Sequence, residues 1–310
     1  MFAVRGIAVS LTFFALLYCL LSVLVALAWR SLKFVPIATQ RGLASLLFAL
    51  RILPLAASTL LTCFLVVPSF GLLEPRSIDE QMSLMPVVLG ACAIMLIAGG
   101  MLRVVSTQTR TSRLVARWLE GASPLDSGEA AAFRSKRDVP PLTLVGVYRP
   151  KVLVSESTVA LLSQDELQIA LRHEIAHMRS RDNLKKLVFR FSPFPGMAKL
   201  ESAWSQAAEL AADDAAVSNL RNAVDLAAAL VRLSRLVPVA VAPACTVGFV
   251  SGSIETRVAR LLAWEASSVP PSRNRRWYAI PLFLAVLLGA LVTYGPALRF
   301  THELTEWLVR

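Results

Sequence analysis

Ser163-Gln164-Asp165-Glu166-Leu167-Gln168-Ile169-Ala170-Leu171-Arg172-His173-Glu174-Ile175-Ala176-His177 reads as one helix that carries its own chemistry. Ser163 stands at the N-cap with Glu166 three residues on, the pairing of a capping box. Further along, His173 and His177 stand four apart, so one helical turn sets both imidazoles on the same face, about 6 Å apart along the axis. Zinc accepts His nitrogen at about 2.0–2.1 Å and suits a tetrahedral site with one open position. Glu174 projects beside the pair, where it can take a proton from a metal-bound water, which is the mechanistic content of His-Glu-x-x-His. The competing reading is a capped helix whose histidines are merely satisfied by their neighbours.

The rest of the chain says where this helix sits. Of 310 residues, 55% are hydrophobic and 17% charged, against about 25% charged in a soluble domain, and the mean hydropathy is +0.59. Gly6 to Trp29 is a continuous apolar run between Arg5 and Arg30, long enough for the about 20 residues of a spanning helix. It exceeds a signal-peptide core. A second run, Leu43 to Leu73, contains Arg51 and Pro54; it reads as an interfacial or tilted entry and then a span from about Ile52, with Arg51 reaching for the headgroups. Leu84 to Leu102 is a third span, and Trp277 to Leu298 a fourth, opening on the interfacial pair Trp277-Tyr278.

Four spans at 6–29, 52–73, 84–102 and 277–298 leave one stretch, 106–266, able to form a separate domain. A linker, 267–276, and a short tail, 299–310, complete the plan. The net charge is +11, with basic residues gathered at the ends of apolar runs. That pattern serves membrane topology rather than nucleic acid. Arg30, Lys33 and Arg41 flank the first loop, and Arg103, Arg110, Arg113 and Arg117 follow the third span. The positive-inside rule then places the large domain in the cytoplasm and both termini outside an inner membrane of bacterial type. Cys19, Cys63, Cys92 and Cys245 show no Cys-x-x-Cys spacing, and read as small core residues rather than disulfides or zinc ligands.

Within the domain, Leu142 to Val147 and Lys151 to Val154 read as strands around Arg149-Pro150. Helices are expected over Asn183 to Phe191, Met197 to Ser218, Ala223 to Leu236 and Ile254 to Trp264, so the domain is α+β. The chain has three histidines, and His302 lies beyond the fourth span, so the third ligand is a carboxylate or water. Asp182, Glu201, Glu209, Asp213 and Asp214 are the downstream candidates. Glu209 stands in Ala207-Ala208-Glu209-Leu210-Ala211-Ala212, an apolar surround in which a carboxylate is costly unless it is paired or binds metal. Glu201 reads as a surface residue, and Asp182 follows the histidine helix closely. Glu209 is therefore the expected ligand. Asp213, one turn on, is placed to accept an N–H from a ligating histidine. The strand pair around Arg149-Pro150 offers an edge to an extended substrate, and Tyr148 is a candidate oxyanion group.

The segments Tyr148-Arg149-Pro150-Lys151-Val152-Leu153-Val154, Leu162-Ser163-Gln164-Asp165-Glu166-Leu167, His173-Glu174-Ile175-Ala176-His177 and Glu209-Leu210-Ala211-Ala212-Asp213 together resemble the BlaR/MecR family of integral-membrane zinc metallopeptidases. Arg179-Ser180-Arg181-Asp182-Asn183-Leu184, Phe191-Ser192-Pro193-Phe194 and Ser253-Ile254-Glu255-Thr256-Arg257-Val258 extend the likeness. The resemblance implies a gluzincin-like zincin fold, Zn2+ held by His173, His177 and Glu209, and Glu174 as the catalytic residue. It also implies a regulatory endopeptidase whose substrate is a cytoplasmic protein such as a transcriptional repressor, with the bilayer as its other partner and a homo-oligomer allowed. Family members that sense antibiotics carry a penicillin-binding domain after the last span; here only Arg299 to Arg310 follow. The alternatives are a membrane quality-control peptidase of the HtpX type and a catalytically silent transducer.

Overall fold

The computed structural model describes residues 2–32, 39–75, 83–125, 131–137, 139–236, 247–248, 254–264 and 293–307. Cys245, the linker 267–276 and most of the expected fourth span lie outside these residues. Among the described residues, three helical stretches are long and apolar enough to cross a membrane, at Phe2–Trp29, Gln40–Leu73 and Leu84–Leu119. The chain divides into two compact units, one of 1–33, 50–99 and 271–310 and one of 34–49 and 100–270.

The first unit holds α1 (Phe2–Leu32), the later part of α2 (Gln40–Leu61), a π-helical turn (Thr62–Val66), α3 (Val67–Leu73) and the start of α4 (Leu84–Leu119). Residues 293–307 add a further helical stretch. Its outer faces are apolar: Leu20 is 56% exposed, Leu72 73% and Met95 65%, a surface suited to hydrocarbon rather than water. Its interior is made of small contacts, with Ala93 packed against Phe14 and Ala15 and Thr12 Oγ1 donating to the Pro86 carbonyl at 3.0 Å. Pro68 has no N–H to offer the carbonyl four residues back. That carbonyl, on Phe64, accepts instead from the Tyr294 hydroxyl at 2.9 Å.

Two expectations for the spans change. The second helical stretch starts at Gln40, and Arg51 is 2% exposed, so it is enclosed by protein rather than extended to headgroups. The third helix runs unbroken to Leu119; no residue between Arg103 and Leu119 breaks a helix, and polarity alone does not end one. Cys19 and Cys63 are exposed on their apolar helices and Cys92 is half-buried, so none is a core residue.

The second unit is a five-stranded sheet packed against helices. Its strands are β1 (Ser123–Leu125), β2 (Ala132–Ser135), β3 (Leu142–Val145), β4 (Lys151–Ser155) and β5 (Val247–Gly248), in the order β1-β2-β4-β3-β5. β4 runs parallel to β2 and antiparallel to β3, and is buried along most of its length because both its edges are paired. The helices are α5 (Glu156–Leu161), α6 (Gln164–Ser180), α7 (Asp182–Phe191), α8 (Ala198–Ala216), α9 (Leu220–Ser234) and α10 (Ile254–Leu262). Leu142, Leu144, Val152 and Val154 of the sheet share one core with Ile169 and Ala170 of α6 and with Leu226 and Leu230 of α9.

α6 begins as its sequence demands: Ser163 Oγ accepts from the Glu166 N–H at 3.2 Å, and the Glu166 carboxylate accepts from the Ser163 N–H at 2.8 Å. It ends at Arg181, whose φ of 55° is the single left-handed non-glycine conformation among the described residues. The Arg181 N–H caps α6 at the His177 and Met178 carbonyls, and the next residue starts α7. The turn is tied down by Asn183, whose Nδ2 donates to the carbonyls of Leu144 and Gly146 at 3.1 and 2.9 Å.

Candidate metal centre

Four helices, α6, α7, α8 and α10, bring the site together. α6 presents His173 and His177 from adjacent turns, and their Nε2 atoms lie 3.1 Å apart. α8 is rich in alanine where it meets α6, with Ala207, Ala208 and Ala212 buried, and such small side chains let two helix axes approach closely. Glu209 enters that junction at 3% exposure. Its Oε2 stands 3.6 Å from His173 Nε2 and its Oε1 3.7 Å from His177 Nε2. Around one tetrahedral ion with bonds near 2.05 Å, ligand atoms are separated by about 3.3 Å. The three observed separations lie close to that value, and these residues fit a metal.

Each imidazole is oriented from behind by a carboxylate. His173 Nδ1 lies 2.9 Å from Asp213 Oδ1, one turn beyond Glu209 on α8. His177 Nδ1 lies 2.8 Å from Asp182 Oδ2. Asp182 is thus not a ligand, but the left-handed turn at Arg181 swings it back onto its own helix's last histidine. Lys185 Nζ holds the other Asp182 oxygen at 2.9 Å. Such partners fix the ring tautomer and turn the two Nε2 atoms toward one another.

Arg257 completes the arrangement, and sequence reasoning assigned it no role. Reaching in from α10, it is 2% exposed. Its Nε and Nη2 donate to the two Asp213 oxygens at 2.8 and 2.7 Å, and its Nη1 donates to Glu209 Oε2 at 3.0 Å. This bidentate fork holds the guanidinium plane and engages one oxygen of Glu209.

Glu174 is fully buried, and neither of its oxygens meets a hydrogen-bond partner among the described residues. An orphaned buried carboxylate is expensive, and it stands beside the pair of imidazoles. Burial pushes its pKa up to about 6, against the pull of both histidines. Burial opposes charge on His177 as well, but the Glu209 carboxylate and the hydrogen bond with Asp182 outweigh it and raise its pKa to about 10. Glu209, although burial pushes it up, is held well below the usual carboxylate range by the His177 charge, by the two imidazoles beside it and by Arg257. Asp213 is likewise raised by burial but held low by His173 and Arg257. Four buried carboxylates (Glu174, Asp182, Glu209 and Asp213) face two cations, Arg257 and Lys185. With both imidazoles neutral, as metal ligands must be, the shortfall is two positive charges, which a divalent ion supplies.

The other expected residues fall elsewhere. Glu201 is half-buried on α8 away from the pair, and Asp214 pairs with Arg260 at 2.6 Å. His302 belongs to the other unit, beside Glu306 and Glu74 at 3.4 and 3.8 Å. Tyr148 is 83% exposed, on the rim of a cleft of about 370 Å3 that reaches His177 and Asp182. Of the strand pair expected to offer an edge, β4 is paired on both sides by β2 and β3, and the outer edge of β3 carries β5 at Thr143 and Leu144. Among the described residues, His173, His177 and Glu209 form a buried metal-competent group. No family model and no curated protein matches the chain.

Proposed function

We propose that the chain is a membrane-bound, zinc-dependent endopeptidase that acts as a regulator by cleaving a cytoplasmic protein such as a transcriptional repressor. The observation that carries this reading is one convergence. Two imidazoles from one turn of α6 and a carboxylate from α8 stand at the spacings of a tetrahedral ion. An unpartnered glutamate, Glu174, is buried beside them. When bound, zinc lowers the pKa of water and polarises a carbonyl. Glu174, buried beside the imidazoles without a partner of its own, accepts the proton of the attacking water and passes it to the leaving amine. Asp213 and Asp182 keep the rings aligned while this happens. The His177-side cleft that ends at Tyr148 gives an extended peptide an approach.

The interval between the histidines and Glu209 favours a regulatory peptidase over one of the HtpX type. It consists of the ten-residue α7, a short connection and α8, with no membrane-length apolar helix. The gathering of basic residues after the third span supports a cytoplasmic domain by the positive-inside rule. The test is metal analysis and proteolysis on the purified full chain. One zinc per chain is expected, and Glu174→Gln should keep the metal while losing cleavage of a substrate identified by comparing proteomes of the two forms. A wild-type protein without metal, or full activity in Glu174→Gln, overturns the reading.

A further inference from the structure

A second cleft, separate from the metal-competent group, is lined by α4, α7 and α8. Its volume is about 660 Å3, and its lining includes Arg103, Lys186, Arg190, Glu201, Phe189 and Trp204. Three basic groups and one acid give the lining a net positive charge. Trp204 is 2% exposed, and its indole N–H meets no acceptor among the described residues. Phe189 packs edge-on against that indole at 5.0 Å, and the Lys185 ammonium lies 5.9 Å from its ring centre. The indole is therefore held in place with a donor to spare, under a positive field.

The position of the cleft along α4 selects the occupant. From Leu84 to Leu102 the helix carries no charged residue, and Arg103 is the first. The cleft thus opens at the level where a spanning helix leaves hydrocarbon for the headgroup layer, where aromatic rings and basic side chains meet lipid phosphate. The geometry points to this cleft as a binding site for the headgroup of an anionic phospholipid. Arg103, Lys186 and Arg190 surround the phosphodiester, the Trp204 N–H donates to one of its oxygens, and Glu201 accepts from the hydroxyls of a glycerol headgroup. A lone phosphodiester charge suits this lining; Glu201 repels a second phosphate.

The experiment uses the full chain, delipidated in neutral detergent and titrated with phosphatidylglycerol, phosphatidylethanolamine of matched chains, or inorganic phosphate, with bound lipid read by native mass spectrometry. Saturable binding of phosphatidylglycerol over phosphatidylethanolamine is expected. Each basic side chain near anionic lipid is worth about fivefold in affinity, so Arg103→Gln with Arg190→Gln should weaken binding about 30-fold. Both residues are exposed, so the fold and metal content of this variant should match wild type. Trp204→Phe keeps an aromatic ring in a smaller volume and removes the N–H donor, and should cost about tenfold. Lys199→Gln removes the same charge from an exposed neighbouring position outside the lining, and should change nothing. Equal binding of the two lipids overturns the proposal. So does an equal loss in Lys199→Gln, which indicates diffuse surface charge, or competition by inorganic phosphate as strong as by the lipid.

Discussion

Glu174→Gln should make the metal-free protein more stable while destroying its chemistry. The buried, unpartnered carboxyl of Glu174 has its pKa raised from 4.5 to about 6. A carboxyl with a raised folded-state pKa binds its proton more tightly when folded. Its charge therefore costs stability above the folded value, and the cost disappears as pH falls below the unfolded one. The full cost is about 2 kcal/mol, at about 1.4 kcal/mol per unit. Linkage leaves nearly all of it in force at pH 7.5 and about 0.8 kcal/mol at pH 5. The amide has nearly the same shape and no charge, so the variant should gain about 2 kcal/mol at pH 7.5, roughly 4–8 °C in melting temperature for a domain of this size. The gain should shrink by more than half at pH 5. The assay is thermal unfolding of the full chain in detergent with a chelator at both pH values, repeated with zinc. Zinc should erase the advantage, because a neighbouring cation turns the glutamate charge from a cost into a gain. A variant no more stable than wild type at pH 7.5, or a gain that does not fall in acid, would refute the assignment of Glu174 as a desolvated, uncompensated charge.

Other expectations follow from the same geometry. Asp213→Asn and Asp182→Asn leave the ligands in place but release the rings, and should lower metal affinity by about 10–100-fold each in a competition titration with a chromogenic chelator. Arg257→Met strands Glu209 and Asp213 without their counter-charge and should cost about 3–5 kcal/mol in a denaturant titration of the metal-free chain. Arg257→Lys should recover only part of this, because an ammonium cannot make the two-toothed contact. A Cβ at Gly100 would come within 2.2 Å of the Phe191 carbonyl, whereas one at Gly99 meets nothing within 4 Å. Gly100→Ala should therefore destabilise the protein by about 1–3 kcal/mol and Gly99→Ala should not, as read by parallel thermal melts.

What was legible in the sequence was the part written at short range. The capping box of α6 joins residues three apart, the two imidazoles share a face because of one helical turn, and Asp213 follows Glu209 by the same rule. Glu209 itself could be singled out because an apolar run makes an unpaired carboxylate expensive. Arg257 was hidden because its partners are 44 and 48 residues away, and in an amphipathic helix such as α10 an arginine reads as a solvent-facing charge. One signal was available: several acids assigned to one buried site require cations, and an expected divalent ion did not balance them all. Asp182 was passed over because a straight chain cannot bring it back, and a left-handed arginine is not a conformation that composition announces. β1 and β2 are too short and too polar for alternation to reveal, and Arg51 looked like a boundary marker although neighbouring helices enclose it.

The charge inventory explains why these pieces must act together. α6 supplies two ligands, α8 a ligand and an orienting acid, α7 a second orienting acid and its lysine, and α10 the guanidinium. None of these helices alone could bury its charged groups at acceptable cost. With no cation present, the pocket compensates itself by keeping a proton on His177, whose pKa is raised to about 10 by the carboxylates around it. A metal ligand must be the neutral ring, so ion binding must expel that proton and put two charges where one had been. Metal uptake is then an exchange, favoured as pH rises, and its energy is spent holding α6, α8 and α10 against one another. The same exchange sets a divalent charge beside Glu174, whose ionised form is costly in the metal-free pocket. A single ion thus joins α6 to α8 and compensates the one carboxylate in the pocket that has no hydrogen-bond partner among the described residues.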